Sequence, residues 1–301
     1  MLRDVTLRDG LQLTGGLLDT SIKTDVIRRL RAVGIPAIEI GSMARADLVP
    51  PMANTLDVVE QLTAGELEDC WVWVATPKNV TRAVEAGVTR MQYCLSVSDA
   101  HNMANIGRTT EASMNSLPEA LDTTVAADGH LQLCLATAFT CPFEGPIEPG
   151  RVLALVTDER AARCSDIVIA DTLGQASPAE VHDLISAVAQ ARPDAGIVFH
   201  GHDTWGQGVV NSLVAVQAGA TTVDGALGGL GGCPFAPGAS GNTSTEDLLF
   251  AMKPDWLDPA AFAEIVRLGE ELTERLGEGT TSRAAKGARS RAEAFPWVVR
   301  S

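Results

Sequence analysis

At 301 residues and 46% hydrophobic, the chain can bury a large core and matches the length of a single barrel-type unit. A formal net charge of −15 argues against nucleic acid and against anionic membrane surfaces as partners. No apolar run of about 18 residues occurs and Met1 leads almost directly into a strand, so neither a transmembrane helix nor a secretory signal is expected.

Arg3–Leu7 reads as a short strand, with Arg8-Asp9-Gly10 directly after it. From Thr20 a helix runs through Ile22, Val26, Ile27, Leu30 and Val33, spacings that make one apolar stripe, and Gly34 stops it. Ala37–Gly41 is the second strand and carries Glu39; a helix lies near Leu56–Leu62, and Trp71–Ala75 is the third strand. Thr76-Pro77 reads as N-cap and first helical residue of a helix that ends by Gly87. Met91–Val97, Leu131–Ala138, Asp166–Ala170, Ile197–His202 and Thr222–Ala226 continue the strands. Between and after them lie helical segments near Glu111–Ala127, Arg151–Arg163, Gly208–Ala218 and Ser244–Met252, and one opened by a capping box, Ser177-Pro178-Ala179-Glu180. A further helix is expected around Ala260–Leu276.

Strands and helices alternate in repeats of roughly 25–40 residues, the pattern of parallel strands joined by helical crossovers. A doubly wound open sheet alternates similarly; the count of eight favours a closed (β/α)8 TIM barrel over residues 1–278, with an extra C-terminal helix. No Pro-, Gly- or Ser-rich linker divides it. Residues 279–301 form a basic tail with Arg283, Lys286, Arg289, Arg291 and Arg300 against Glu293, and such tails are commonly solvated or disordered. The six cysteines show no CxxC pair and no zinc-ribbon spacing; Cys94 and Cys134 fall in strands as core residues, and a reducing, cytoplasmic setting is the simplest expectation.

In such barrels the reacting groups collect at the carboxyl ends of the strands. Strand alternation points His200 and His202 the same way, which makes half of a divalent-metal site, although a pair of structural histidines would look alike. Arg8 and Asp9 follow strand one, Glu39 ends strand two, Thr137 and Cys141 end strand five, and Asp171 follows strand six. Beyond strand eight comes a loop with four glycines from Gly228 to Gly232, then Cys233, Asn242 and Glu246. It is a poor pyrophosphate cradle, because Pro234 and Pro237 stand where a helix should open. Asp9, His200, His202 and Asn242 supply two imidazole nitrogens and two oxygens, suited to Mg²⁺ or Mn²⁺ with positions left open. Cys233 fits a proton-transferring thiol on a flap, with a structural cysteine as the other reading. Arg8 suits stabilisation of an enolate oxyanion, or else a salt bridge at the barrel mouth. Glu39 and Asp171 either hold the arginine and the metal ligands or serve as base. A Schiff-base aldolase would need a lysine on a strand, and none of Lys23, Lys78, Lys253 and Lys286 lies on one.

The motifs Arg8-Asp9-Gly10-Leu11-Gln12, Ile38-Glu39, Cys141-Pro142-Phe143-Glu144-Gly145, Asp171-Thr172-Leu173-Gly174 and His200-Gly201-His202-Asp203 resemble those of the 3-hydroxy-3-methylglutaryl-CoA lyase family. The loop from Gly229 through Cys233 to Asn242 is the most specific of them. The resemblance implies a retro-Claisen cleavage of an acyl-CoA to acetyl-CoA and a keto acid. It implies a cation held by Asp9, His200, His202 and Asn242, an oxyanion steadied by Arg8, and a proton delivered by Cys233. Glu39 and Asp171 stand at functional positions, Arg8, Gln12 and Thr137 are the candidates for substrate contact, and a homodimer is expected. A condensing acyl-CoA synthase with the same metal cage, and a barrel that binds acyl-CoA or an organic acid without turnover, are the other readings. Asp4–Gly10 looks more like the opening of the synthases and related aldolases, and Ser98–Asn105 lacks the lysine frequent before the family's asparagine. Both segments lie on the substrate side, so the resemblance carries the reaction type further than the acyl group.

Overall fold

The computed structural model describes residues 1–232, 240–292 and 294–299. Eight parallel strands close into a barrel, β1 (Leu2–Asp4), β2 (Ala37–Ser42), β3 (Cys70–Val74), β4 (Arg90–Ser96), β5 (His130–Ala136), β6 (Asp166–Asp171), β7 (Gly196–Gly201) and β8 (Thr222–Gly225). Each neighbour in sequence is a neighbour in space, and β1 closes the ring against β8 with Leu2 opposite Val223 and Arg3 opposite Asp224. The crossover helices are α1 (Thr20–Ala32), α2 (Thr55–Glu60), α3 (Pro77–Glu85), α4 (Thr110–Ala126), α5 (Pro149–Val156), α6 (Pro178–Ala191), α7 (Gly208–Gln217) and α8 (Thr245–Met252). Their apolar stripes seal the outer face of the sheet, Val26, Ile27 and Leu30 of α1 and Val181, Leu184 and Ile185 of α6 being buried there. The caps expected from sequence are made. Thr76 Oγ1 accepts the Asn79 amide at 3.2 Å, and Ser177 and Glu180 close their capping box in both directions.

Most boundaries shift by a residue or two, and three of the differences have a clear local reason. The first strand ends at Asp4 rather than Leu7. Val5 still donates to Gly225 O at 2.8 Å, but its own carbonyl accepts from Arg8 and Gly10, and Thr6–Gly10 wind into a π-helical turn. Strand five stops at Ala136 because Thr137 turns left-handed, at φ +55°. The helix expected over Arg151–Arg163 ends at Val156 and is followed by a separate single turn, Glu159–Ala161, capped by Asp158.

The basic tail also departs from expectation. After α9 (Pro259–Leu276), α10 (Arg283–Ala288) packs on the barrel with Ala285 and Ala288 buried. The carboxylate of Asp247 accepts the Ser282 hydroxyl and the amides of Arg283 and Ala284, and Arg289 pairs with Glu270. Trp297 sets its ring 5.6 Å from that of Phe262. Counting charges in the tail overlooked these small and aromatic contacts. Among the described residues no helix is long and apolar enough to cross a membrane.

Inside the barrel a charged layer lies below an apolar one. Arg3, 1% exposed, is held by both oxygens of Asp224 and by the side-chain carbonyls of Gln92 and Gln132, all at 2.8–2.9 Å. A buried cation is tolerable only when paired and saturated in this way. Cys94, Cys134, Val168 and Val198 form a separate buried cluster in the barrel, with Trp73 and Ala136 packed against it.

Candidate active site

The π-helical turn Thr6–Gly10 delivers Arg8 and Asp9 to the mouth of the barrel instead of continuing β1 along the sheet. His200 ends β7, and His202, two residues on, forms a bridge with Asn242. Asp203 N donates to Gly241 O and Thr243 N to Gly201 O, each at 3.1 Å, so the chain after β8 is stitched to the histidine strand at this point. His200 and His202 face the same way, as the alternation requires, with ring centroids 5.3 Å apart.

Ligand atoms of Asp9, His200 and His202 all lie within 4.8 Å of one another and are buried. Asp9 Oδ2 is 3.3 Å from His202 Nε2, 3.9 Å from His200 Nε2, and accepts from Asn242 Nδ2 at 2.8 Å. Burial raises the pKa of Asp9, but Arg8, His202 and His200 outweigh it and hold the carboxyl well below the usual range, ionised and ready as a ligand. Among the described residues Asn242 Oδ1 and His202 Nδ1 are buried without a hydrogen-bond partner. The open acceptor Asn242 Oδ1 beside three convergent ligand atoms fits a divalent cation, and the oxygen–imidazole donor set suits a hard or borderline one.

His200 is oriented from behind. Its Nδ1 lies 3.0 Å from Asp224 Oδ2, the carboxylate that also holds Arg3. Asp224 thereby fixes the tautomer that leaves Nε2 as the free electron pair facing Asp9. Burial, which would lower the pKa of His200, is outweighed by Asp224 and Asp9, and the ring is raised. Asp224 was not singled out from sequence, although its place on β8, one short strand from Arg3 on β1, marked an inward charge.

Arg8 contacts Asp9 and sits with Nε 3.3 Å from Glu39 Oε2 and its guanidinium 5.6 Å from the centre of the Trp73 ring. Glu39 also accepts from Gln92 at 3.2 Å and is raised by burial, which Arg8 and Arg3 offset only in part. Gln12 Nε2 donates to Asp9 Oδ1 at 2.9 Å. The Asp171 carboxylate accepts the amides of Gln175 and Ala176 at 3.1 and 3.0 Å and so builds the loop after β6. Thr137 is buried, with its hydroxyl on the Ala136 carbonyl and its amide on Thr172 Oγ1. Arg8, Asp9, Gln12, His200 and His202 line one cavity of about 520 Å³, whereas Glu39, Asp171 and Thr137 do not reach its wall. Cys233 lies outside the described residues; Gly232, its neighbour in sequence, lines the cavity. Sequence reasoning missed Trp73, Thr172 and the wall contributed by Cys94 and Cys134.

A family profile described as HMGL-like matches residues 1–270. The chain belongs to that family. It is similar to the hydroxymethylglutaryl-CoA lyase of Arabidopsis thaliana, a mitochondrial protein, with 34% identity over 83% of this chain and 53% of the relative. The chain thus spans about half the length of that relative. It is similar to the (R)-citramalyl-CoA lyase of Chloroflexus aurantiacus, with 35% identity over 82% of this chain and 81% of the relative. Among solved structures, an HMG-CoA lyase of Acinetobacter baumannii in complex with coenzyme A and 3-methylmalate superposes with a TM-score of 0.87. That pair shares 33% identity over 97% of this chain and 96% of the other. These relatives are carbon–carbon lyases, and the fold is the TIM barrel expected from the strand count.

Proposed function

We propose that the protein cleaves 3-hydroxy-3-methylglutaryl-CoA, or a close 3-hydroxyacyl-CoA analogue, by a retro-Claisen reaction that yields acetyl-CoA and a keto acid, acetoacetate for the parent substrate. The observation that carries the reading is the convergence of Asp9, His200 and His202 beside Arg8 on one cavity wall, from the ends of two strands far apart in sequence. Asp9, His200, His202 and Asn242 would hold one Mg²⁺ or Mn²⁺, which when bound polarises the hydroxyl and carboxyl oxygens of a chelating substrate.

The remaining work falls to the chain itself. Arg8 is braced by Glu39 behind it and Trp73 beneath it, so its charge faces the cavity without reorganising, as oxyanion stabilisation requires. Gln12, through its contact with Asp9, links that ligand to the substrate side. Glu39 and Asp171, spent on Arg8 and on the loop after β6, fit supporting roles better than that of base. Cys233, adjacent to the cavity-lining Gly232, would give a proton to the enolate carbon once the bond has broken. A homodimer, measurable by light scattering, completes the proposal.

The relative that acts as a citramalyl-CoA lyase favours one second substrate reading, cleavage of citramalyl-CoA. Supplying each thioester with Mg²⁺ or Mn²⁺ and identifying the products separates the candidates. Release of acetyl-CoA with acetoacetate supports the first, and release with pyruvate the second. Consumption of acetyl-CoA and a keto acid would point to a condensing synthase. No change to any of them would leave a barrel that binds without turnover.

A further inference from the structure

Barrels of this class usually pack their interiors with bulky branched side chains. On the cavity wall formed by β4, β5 and β6 the residues are instead small: Cys94, Cys134, Ala136 and Ala170. Strand register arranges them in two steps. Ala170 lies beside His200, at the level of the metal-ligand cluster, with Ala136 on the next strand. One alternation deeper, Cys94 lies directly opposite Cys134 across the β4–β5 pair, with Val168 and Val198 in the same cluster and Trp73 packed at its edge. Apart from Trp73, these side chains are methyl groups, thiols and, in Val168 and Val198, branched hydrocarbon. The arrangement is an apolar slot that begins beside His200 and descends into the barrel.

A substrate of the proposed kind has four groups on its hydroxyl-bearing carbon. The hydroxyl belongs to the Asp9–His200–His202 cluster. The thioester arm has to run out through the mouth, because a cavity of about 520 Å³ cannot hold coenzyme A together with the acyl group. The carboxylate arm stays with the same cluster, beside Gln12, which lies against Asp9. The fourth substituent is left with the slot. A methyl group would occupy only the upper step and gain no contact with the side chains of the lower one.

We propose that the slot selects 3-hydroxyacyl-CoA substrates whose hydroxyl-bearing carbon carries a hydrocarbon substituent larger than methyl. The inference rests on the lyase reading above and names the class of acyl group it acts on.

The test is the intact protein with Mn²⁺ and a series of 3-(carboxymethyl)-3-hydroxyacyl-CoA thioesters in which that substituent is methyl, ethyl or isobutyl, with acetyl-CoA release as readout. The expected result is a kcat/KM that rises from methyl to isobutyl by about 10-fold or more, the scale of one or two methylenes seated in an apolar pocket. A series that is flat, or best at methyl, overturns the inference while leaving the lyase reading intact. Cleavage of no member, methyl included, overturns both. Cys134→Leu, which would fill the lower step, is expected to lower the isobutyl-to-methyl ratio of kcat/KM, and an unchanged ratio counts against the slot. If that variant does not fold, Ala170→Val makes the same comparison one step higher.

Discussion

Replacing Asp224 with asparagine removes one negative charge that the Arg3 guanidinium and the His200 ring share. The carboxylate accepts from Arg3 at 2.9 and 2.8 Å and lies 3.0 Å from His200 Nδ1, and both Arg3 and Asp224 are only 1% exposed. An asparagine keeps one oxygen and turns an amide NH₂ toward one of two donors. Removing one partner of a buried pair costs about 3–5 kcal/mol. The surviving oxygen and the glutamine carbonyls on Arg3 place Asp224→Asn near the lower end, about 3 kcal/mol. Asp224 does not line the cavity, so any effect on cation binding has to pass through His200. Loss of such an orienting carboxylate weakens metal affinity by about 10–100-fold, which is about 1.4–2.7 kcal/mol. Calorimetric titration of Mn²⁺ into chelator-treated wild type and variant gives the affinity, and urea unfolding gives the stability. Unchanged affinity with reduced stability would refute the orienting role and leave Asp224 as the counter-ion of Arg3 alone.

Glu246 offers a pH test. It is fully buried, accepts the Gly228 amide and the Ser244 hydroxyl, and burial pushes its pKa up from 4.5 to about 7. Folded protein therefore keeps a proton that the unfolded chain has lost, so this group's contribution is full below about pH 4.5 and disappears as pH rises through 7. Glu246→Gln, which stays neutral, should gain on wild type between pH 5 and 8 by roughly 3 kcal/mol; parallel stability curves would contradict the assignment. Gly231 has φ +124°, and a Cβ there would stand 2.5 Å from Asn242 Nδ2. Gly231→Ala should cost ~1–3 kcal/mol of strain and weaken Mn²⁺ binding, and normal binding would remove Asn242 from the ligand set. Cys233→Ser should lower turnover about 10²-fold with cation binding intact, whereas near-normal turnover with a lower melting temperature would make the cysteine structural.

Much of the barrel was legible because its signals are periodic and local. Apolar stripes, the Ser177–Glu180 capping box and the Thr76 N-cap mark elements within a few residues of where they lie. Asp9, His200 and His202 were legible as a cluster because strand alternation and the rule of carboxyl ends together bring them to one mouth. What escaped was set by tertiary context. The π-helical turn that carries Arg8 and Asp9 depends on Val5 exchanging a strand partner for its own turn, which no local propensity announces. Thr137 and Asp171 stand at the right strand ends but point their polar atoms into backbone, Thr137 into its own turn and Asp171 into the amides of the loop after β6. Position on a strand end says nothing of that direction. Cys94 and Cys134 read as ordinary core, and only the register across β4 and β5 shows them as the wall of a slot.

The most direct test is a titration of Mn²⁺ into chelator-treated protein, reading bound ion and acetyl-CoA release from 3-hydroxy-3-methylglutaryl-CoA in the same samples. One ion should bind per chain and activity should rise in step with occupancy, and His202→Ala should lose both. Cleavage by the metal-free protein, or an ion that binds His202→Ala as tightly as wild type, would contradict the proposed cage.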